Sequence, residues 1–524
     1  MFRLAQAFDP LGQILRQRAG TGSHALERRW TWNRTFEPVS IADGLWGGTA
    51  YATDANGQVT EARHGEGLPP PRADLAAGLL GMPGEQVEVE RFAYAPTRDI
   101  AASDTALPGE PLGRALTPWL SSPGGKVRAA RGADGARILL THDAQGRVVA
   151  RRVERRGFRP KVWRYGWNAL DRLVWCETPS GERWGYGYDP FGRRVWKRRI
   201  GEAPGGTGVE RGETRAGEAY LWDGDVVAQA APVYADGRVA WDRAVSWHHE
   251  PGTFRPVARE RGGVVHHVVT DHLGTPRELY DADGRRAWSR SHRLWGGTRG
   301  VWRGEAANDG AVSLAGVPAD RHRDEADGDE ADLCPIGFPG QWADNENGLS
   351  YNRFRYYDAE AGQYVSPDPI RLDGGTRLLG YVDNPNIFFD LFGLAGCSEP
   401  EAEKTLQEMQ RKQWIRSHFF DRHGAHTTLR DQQLRATTGY TPDGKQGRPV
   451  DSSRFLTHVD QLEAAQHAID LRSRFNANQI EFDMGRPIGE GYLKGGQQYI
   501  GGTQSVRAYF DANGNLTTIF PLLR

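Results

Sequence analysis

The sequence predicts a mainly β fold: a long, curling antiparallel sheet of irregular repeats, followed by a small α+β body. Three observations carry this expectation. An Asp-x-x-Gly turn recurs through the first 390 residues, and aromatic side chains alternate with a period of two between the turns. Near residue 395 the repeats stop and helical spacing begins.

Each repeat reads as strand, turn, strand. Asp54 to Gly57, Asp143 to Gly146, Asp189 to Gly192 and Asp281 to Gly284 share one pattern, and in the last three an Arg follows the Gly. Asp accepts hydrogen bonds from its own turn, and Gly takes the positive φ that closes it. Between turns, Trp163, Tyr165 and Trp167, then Trp184, Tyr186 and Tyr188, alternate as strand residues do. Such units bury their faces only against neighbours, so they add up to a wall rather than a globule.

Composition limits the function classes. The chain has 524 residues with 66 Lys and Arg against 67 Asp and Glu, a net charge of −1, which argues against a polyelectrolyte that coats nucleic acid or membrane. Mean hydropathy is −0.63, yet 66 Gly, 17 Trp, 17 Tyr and 19 Phe mark an ordered, turn-rich chain rather than a disordered one. Cys176, Cys334 and Cys397 are too far apart for a cysteine metal site or a disulfide scaffold. No run approaches the ~20 apolar residues of a membrane-spanning helix. The opening residues lack the apolar stretch of a secretory signal, so export by another route is expected.

After residue 395 a charged helix is expected over 399–417 and a second over about 460–475, where Leu462, Ala465, Ala468, Ile469 and Leu471 recur at helical spacing. Strands follow at 480–483, 505–510 and 516–520, the last two joined by a hairpin turn from Asp511 to Gly514. The polar cluster of this body is His418, Asp421, Arg422, His423, His426 and Thr427, and imidazoles titrate where general acid–base chemistry near pH 7 needs them. No third and fourth ligand accompanies His423 and His426, so no metal and no cofactor is expected. Gly489, Gly491, Gly495 and Gly496 read as loop positions, and Thr518 shares a strand face with Phe520.

The run from Gly337 through Gln341, Gly348 to Asp358 and Gly362 to Pro369, ending at Asn384 and Pro385, resembles the core-associated segment of the Rhs/YD-repeat family. The resemblance covers roughly residues 30–394. It implies a truncated YD-repeat β-cocoon over 1–334, an Rhs core-associated region with a cleavage junction over 335–394, and a C-terminal toxin domain over 395–524. Pro385 to Leu394 resembles the family's cleavage signature, with Leu391 where the signature has Pro. It implies self-cleavage after Leu394 by the pair Asp368 and Asp390, since two approaching carboxylates split their pKa values into an acid and a base.

Residues 418–521 resemble small ribonucleases of polymorphic toxins, either the bacterial RNase A-like domain or the barnase–EndoU–colicin–RelE group. That implies an RNA substrate attacked without a metal. His423 or His426 would take the 2′-hydroxyl proton, and Arg435, Lys494 or Arg507 would balance phosphate charge. Thr518 would hydrogen-bond a phosphate oxygen, and Ser453 would help bind substrate. The family further implies a cognate immunity protein, a secretion-system spike or chaperone, synthesis in the bacterial cytoplasm and delivery into a target cell. The rival readings are an ADP-ribosyltransferase, for which Glu481 and Glu490 are the available late carboxylates, a metal-dependent DNase, and a non-enzymatic surface adhesin.

Overall fold

A computed structural model describes the chain except residues 10–12, 34–36, 55, 66–86, 108–114, 123–124, 133–134, 202–213, 252, 305–312, 315–332, 372–376, 395–402, 404–405, 408, 412–416, 476, 485–486 and 524. The Asp-x-x-Gly turns form as the sequence predicts. Gly57, Gly146, Gly192 and Gly284 have φ of +78°, +88°, +81° and +80°. The Arg after the Gly has a purpose that the pattern alone did not reveal. Arg147, Arg193 and Arg285 each turn back and donate from Nε to the turn's own Asp, at 2.7, 2.6 and 2.8 Å.

Nine strands, from Leu4–Phe8 (β1) to Thr117–Pro118 (β9), make one antiparallel sheet, and seventeen, from Leu120–Ser122 (β10) to Ser313–Leu314 (β26), make a second. Each strand neighbours the next in sequence. A third sheet follows, of Trp342–Asp344 (β27), Leu349–Asn352 (β28), Arg355–Asp358 (β29) and Gln363–Tyr364 (β30).

Residues around this third sheet plug the wall. Turns at one rim of each large sheet converge on it: Asn384 donates to Gly57 O at 2.8 Å, Arg98 pairs with Asp383, His272 bonds Asn386 O at 2.8 Å, and Phe254 meets Phe392 edge-on. Buried ion pairs tie plug to wall. Arg194 donates to Asp344 at 2.9 Å, Lys197 reaches Asp344 at 3.0 Å and Glu346 at 3.1 Å, and Arg151 meets Asp358 at 3.0 Å.

The strands Pro276–Tyr280 and Arg286–His292, with the end of Val264–Thr270 from Val268 onward, are covered on both faces. One face meets the first sheet, through Arg28 with Glu278 at 2.6 Å and Trp46 Nε1 with Ser289 at 2.9 Å. The other shares a core with the plug, where Val268, Leu279 and Trp288 pack with Cys334, Ile336 and Trp342. Burial therefore runs unbroken from Trp288 to Ser291, whereas in Arg137–His142 only Ile138 and Leu140 are buried.

The C-terminal body has its own core of Phe419, Phe455, Leu462, Ala465, Ala468, Ile480, Val506, Ala508 and Ile519, with the plug's Phe388 at its edge. Its helices are Phe419–His423 (α1), Leu429–Thr438 (α2) and His458–Phe475 (α3). Its strands are Ser452–Phe455 (β31), Gln479–Asp483 (β32), Gly489–Tyr492 (β33), Tyr499–Thr503 (β34), Ser505–Phe510 (β35) and Leu516–Pro521 (β36). They pair as two sheets, β31-β33-β34 and β32-β35-β36.

Two expectations are corrected. Gly489 and Gly491 are strand residues, because a Cβ at Gly491 would sit 2.1 Å from Ser452 O and one at Gly489 2.2 Å from Pro521, so only glycine lets the strands approach. The sequence reading also missed α2, which starts at a Thr428–Asp431 capping box and ends at Gly439, and buries only Gln432 and Ala436. Most of the expected 399–417 helix, and Cys397, lie outside the described residues.

Candidate functional site

Two sites emerge. The first is the junction. Asp390 caps its own downstream turn: its Oδ1 accepts from the N–H groups of Phe392, Gly393 and Leu394 at 3.2, 2.8 and 3.1 Å. None of these donors is residue 391, so Leu in place of the signature's Pro leaves the cradle intact. Asp390 Oδ2 accepts from Tyr364 OH at 2.9 Å and lies 3.4 Å from Arg355 Nη2. The same Nη2 is 3.0 Å from Asp368 Oδ2, so the two sequence-predicted carboxylates share one buried guanidinium. Arg355 Nε also donates to Gly393 O, which ties the guanidinium to the chain just before Leu394.

The two acids are not equivalent. Burial pushes Asp368 up to about 7, with Arg355 opposing and Asp390 adding to the rise. Asp390, among the described residues, accepts from Tyr364 OH and three backbone N–H groups as well as facing Arg355. Arg355, Tyr364 and Asn352 were not assigned to the site from sequence; nothing in the run from Tyr351 to Tyr364 distinguishes the residues that face a carboxylate.

The second site is in the C-terminal body. Cross-strand register sets Arg507 opposite Phe520 and Tyr509 opposite Thr518, so these four share a face of the β35–β36 hairpin. The other face carries the buried Val506, Ala508 and Ile519. His423, at the end of α1, stacks on Phe520 with ring centroids 5.1 Å apart. Its Nδ1–H donates to Ser453 O at 2.7 Å, which fixes the tautomer and leaves Nε2 as an acceptor, taking an N–H from Arg435 Nη1 at 3.3 Å. Burial, then Arg435, holds this imidazole well below its ordinary value of 6.5, so it is neutral at pH 7. Among the described residues no carboxylate pairs with Arg435, and burial lowers its guanidinium to about 10. Thr518 Oγ1 is buried without a hydrogen-bond partner.

Four predicted residues, His423, Arg435, Arg507 and Thr518, therefore gather at one face. Three others do not join them in the role expected. His426 turns away, its Nδ1 3.3 Å from His458 Nε2 and its ring stacked on Phe420 at 4.3 Å. Ser453 gives its carbonyl to His423 while its hydroxyl donates to Pro521 O at 2.6 Å. Lys494 is exposed, its N–H bound to Asp451 at 2.8 Å. Arg507 is engaged with Glu481 at 2.6 Å. The loop after α1 is strapped by Arg454, which donates to Ala425 O and Thr427 O at 3.0 and 2.8 Å. No three His, Cys, Asp or Glu side chains converge as metal ligands among the described residues.

A repeat-built wall closed by a plug, with a separately cored body after the plug, defines the class. Residues 265–302, which include the strands covered on both faces, match the model of the family described as RHS protein. A probable deoxyribonuclease RhsB of Dickeya dadantii is 34% identical over 359 residues, 67% of this chain and 21% of the relative. A double-stranded DNA deaminase toxin A of Burkholderia cenocepacia is 26% identical over 424 residues, 75% of this chain and 25% of that one. The fold likeness extends to a Photorhabdus luminescens Tc holotoxin pore containing TccC3, with TM-score 0.52 and 16% identity over 75% of this chain and 18% of that one. The chain belongs to the Rhs family. It spans between a fifth and a quarter of the length of these two curated relatives.

Proposed function

We propose that this is an Rhs toxin whose repeat wall sequesters residues 395–524, cuts itself after Leu394, and so frees a metal-independent ribonuclease. At the junction, Asp390 takes a proton from water as its oxygen bonds the Leu394 carbonyl carbon, and Asp368 gives its proton to the carbonyl oxygen. Collapse breaks the bond to the Ala395 nitrogen, which leaves protonated, and Leu394 ends as a carboxylate. A cut is needed because a body held behind a closed wall stays tethered otherwise, and the wall keeps polymeric substrates from the site.

The observation that carries the ribonuclease reading is the neutral, anchored His423 beside Arg435, which forms no ion pair with a carboxylate among the described residues. A phosphodiester would draw the guanidinium off Nε2, which then accepts the 2′-hydroxyl proton. The 2′-oxygen bonds phosphorus, the 5′-oxygen leaves with a proton, and a 2′,3′-cyclic phosphate remains. Arg435 and Thr518 stabilise the five-coordinate phosphate.

Expressing residues 395–524 tests this directly. RNA ending in cyclic phosphate, with DNA intact and no sensitivity to EDTA, is expected, and His423→Ala should abolish it. DNA breaks that vanish with EDTA would instead favour the chemistry named for the Dickeya relative. An immunity protein covering the His423 face and a delivery machine reaching a target cell belong to the same reading.

A further inference from the structure

Tyr364 is fully buried between Tyr357 and Tyr381, with ring centroids 5.7 and 5.8 Å away. Its hydroxyl is committed in one direction. Asn352 Nδ2 donates to Tyr364 OH at 2.7 Å and to Asp390 O at 2.8 Å. The carbonyl of Asp390 can only accept, so it fixes the Asn352 amide with nitrogen toward the pair. The phenol oxygen therefore accepts from Asn352, and its own hydrogen is left to point at Asp390 Oδ2, 2.9 Å away. The ring face of Tyr364 lies 3.7 Å from the Arg355 guanidinium carbon, the same guanidinium that bridges Asp368 and Asp390.

We propose that Tyr364 is a positioning residue of the junction: its hydroxyl anchors Asp390 Oδ2 as a hydrogen-bond donor, and its ring holds Arg355 between the two carboxylates. This rests on the self-cleavage reading. Among the described residues, the groups bonded to the pair include Arg355, Tyr364 and Tyr381, whose OH lies 3.4 Å from Asp390 N. Burial, then Asp390, holds the Tyr364 phenol well above its ordinary value of 10.0, so it remains a donor throughout the working range. Without that donor Asp390 Oδ2 loses a charge-assisted hydrogen bond, and its place beside Arg355 is less firmly set.

The test uses the full chain, made in a cell-free reaction, pulse-labelled and chased between pH 4.5 and 8. The loss of one hydrogen bond to an ionised carboxylate weakens its charged form by roughly tenfold or more. Tyr364→Phe keeps the ring for Arg355, so it should move the acid limb of the cutting rate up by about one pH unit and leave the alkaline limb in place. Tyr364→Leu, which also removes the ring, should slow cutting at every pH. A Tyr364→Phe profile that superimposes on the wild type overturns the proposal while leaving self-cleavage standing. An uncut wild-type chain, or Asp390→Asn cutting at the wild-type rate, overturns self-cleavage and the proposal together. Folding is read separately: Tyr364→Phe/Asp390→Asn should melt with Asp390→Asn alone, and a large drop would assign Tyr364 a structural role and overturn the positioning one.

Discussion

Asp368 and His423 show how burial, rather than residue type, sets chemistry. Both are desolvated, and each is pushed toward its neutral form, the carboxyl upward and the imidazole downward. For Asp368 the acid form exists below about pH 7, so the cutting rate should fall about tenfold per unit above that pH, as a time course of band intensities would show. For His423 the basic form persists below its ordinary 6.5, so RNA cleavage should hold steady from pH 8 to below 6.5, and a rate that halves at 6.5 would contradict the neutral assignment. The family resemblance pointed to Asp368 and Asp390, and the polar cluster to His423, but neither pointed to their partners. Arg355 is one Arg among 66 cationic residues, and only the fold brings its Nη2 to both carboxylates.

Among the elements, the plug's strand β27 carries Asp344, fully buried between Arg194 and Lys197. Burial opposes its charge, but these two cations win and hold its carboxyl below the ordinary range. Its contribution to stability is thus present above the unfolded carboxylate range and is lost as pH falls through its depressed value. Asp344→Asn would leave the buried Arg194 without its carboxylate and Lys197 with Glu346, and should destabilise the wall–plug contact by about 3–5 kcal/mol, which a urea titration would register. The wall's strands and turns were legible because their period is local, as Asp189, Gly192 and Arg193 illustrate. The strand Gly489–Tyr492 was not, because its glycines answer to the Pro521 ring and the Ser452 backbone, and no local signal records that demand. The helix Leu429–Thr438 was missed for a related reason: it covers its neighbours with polar residues such as Gln432, which bonds Arg422 O and Thr427 Oγ1 at 3.0 and 2.9 Å.

For the whole molecule, the order of parts along the chain matches the order of events proposed for it. The wall forms from neighbouring strands, the plug locks into one rim, and the described hydrogen bonds and ion pairs that join Asp368, Asp390 and Arg355 come from plug residues 352–394, so the junction matures only when the plug is folded. The body beyond carries its own core and needs no strand from the wall. The most direct test is the intact mass of the purified full-length chain beside its Asp390→Asn form. Two fragments that meet between Leu394 and Ala395 in the wild type, and one 58.2 kDa chain in the variant, are the result expected. A single uncut mass for both, from chains that are folded, would contradict the account.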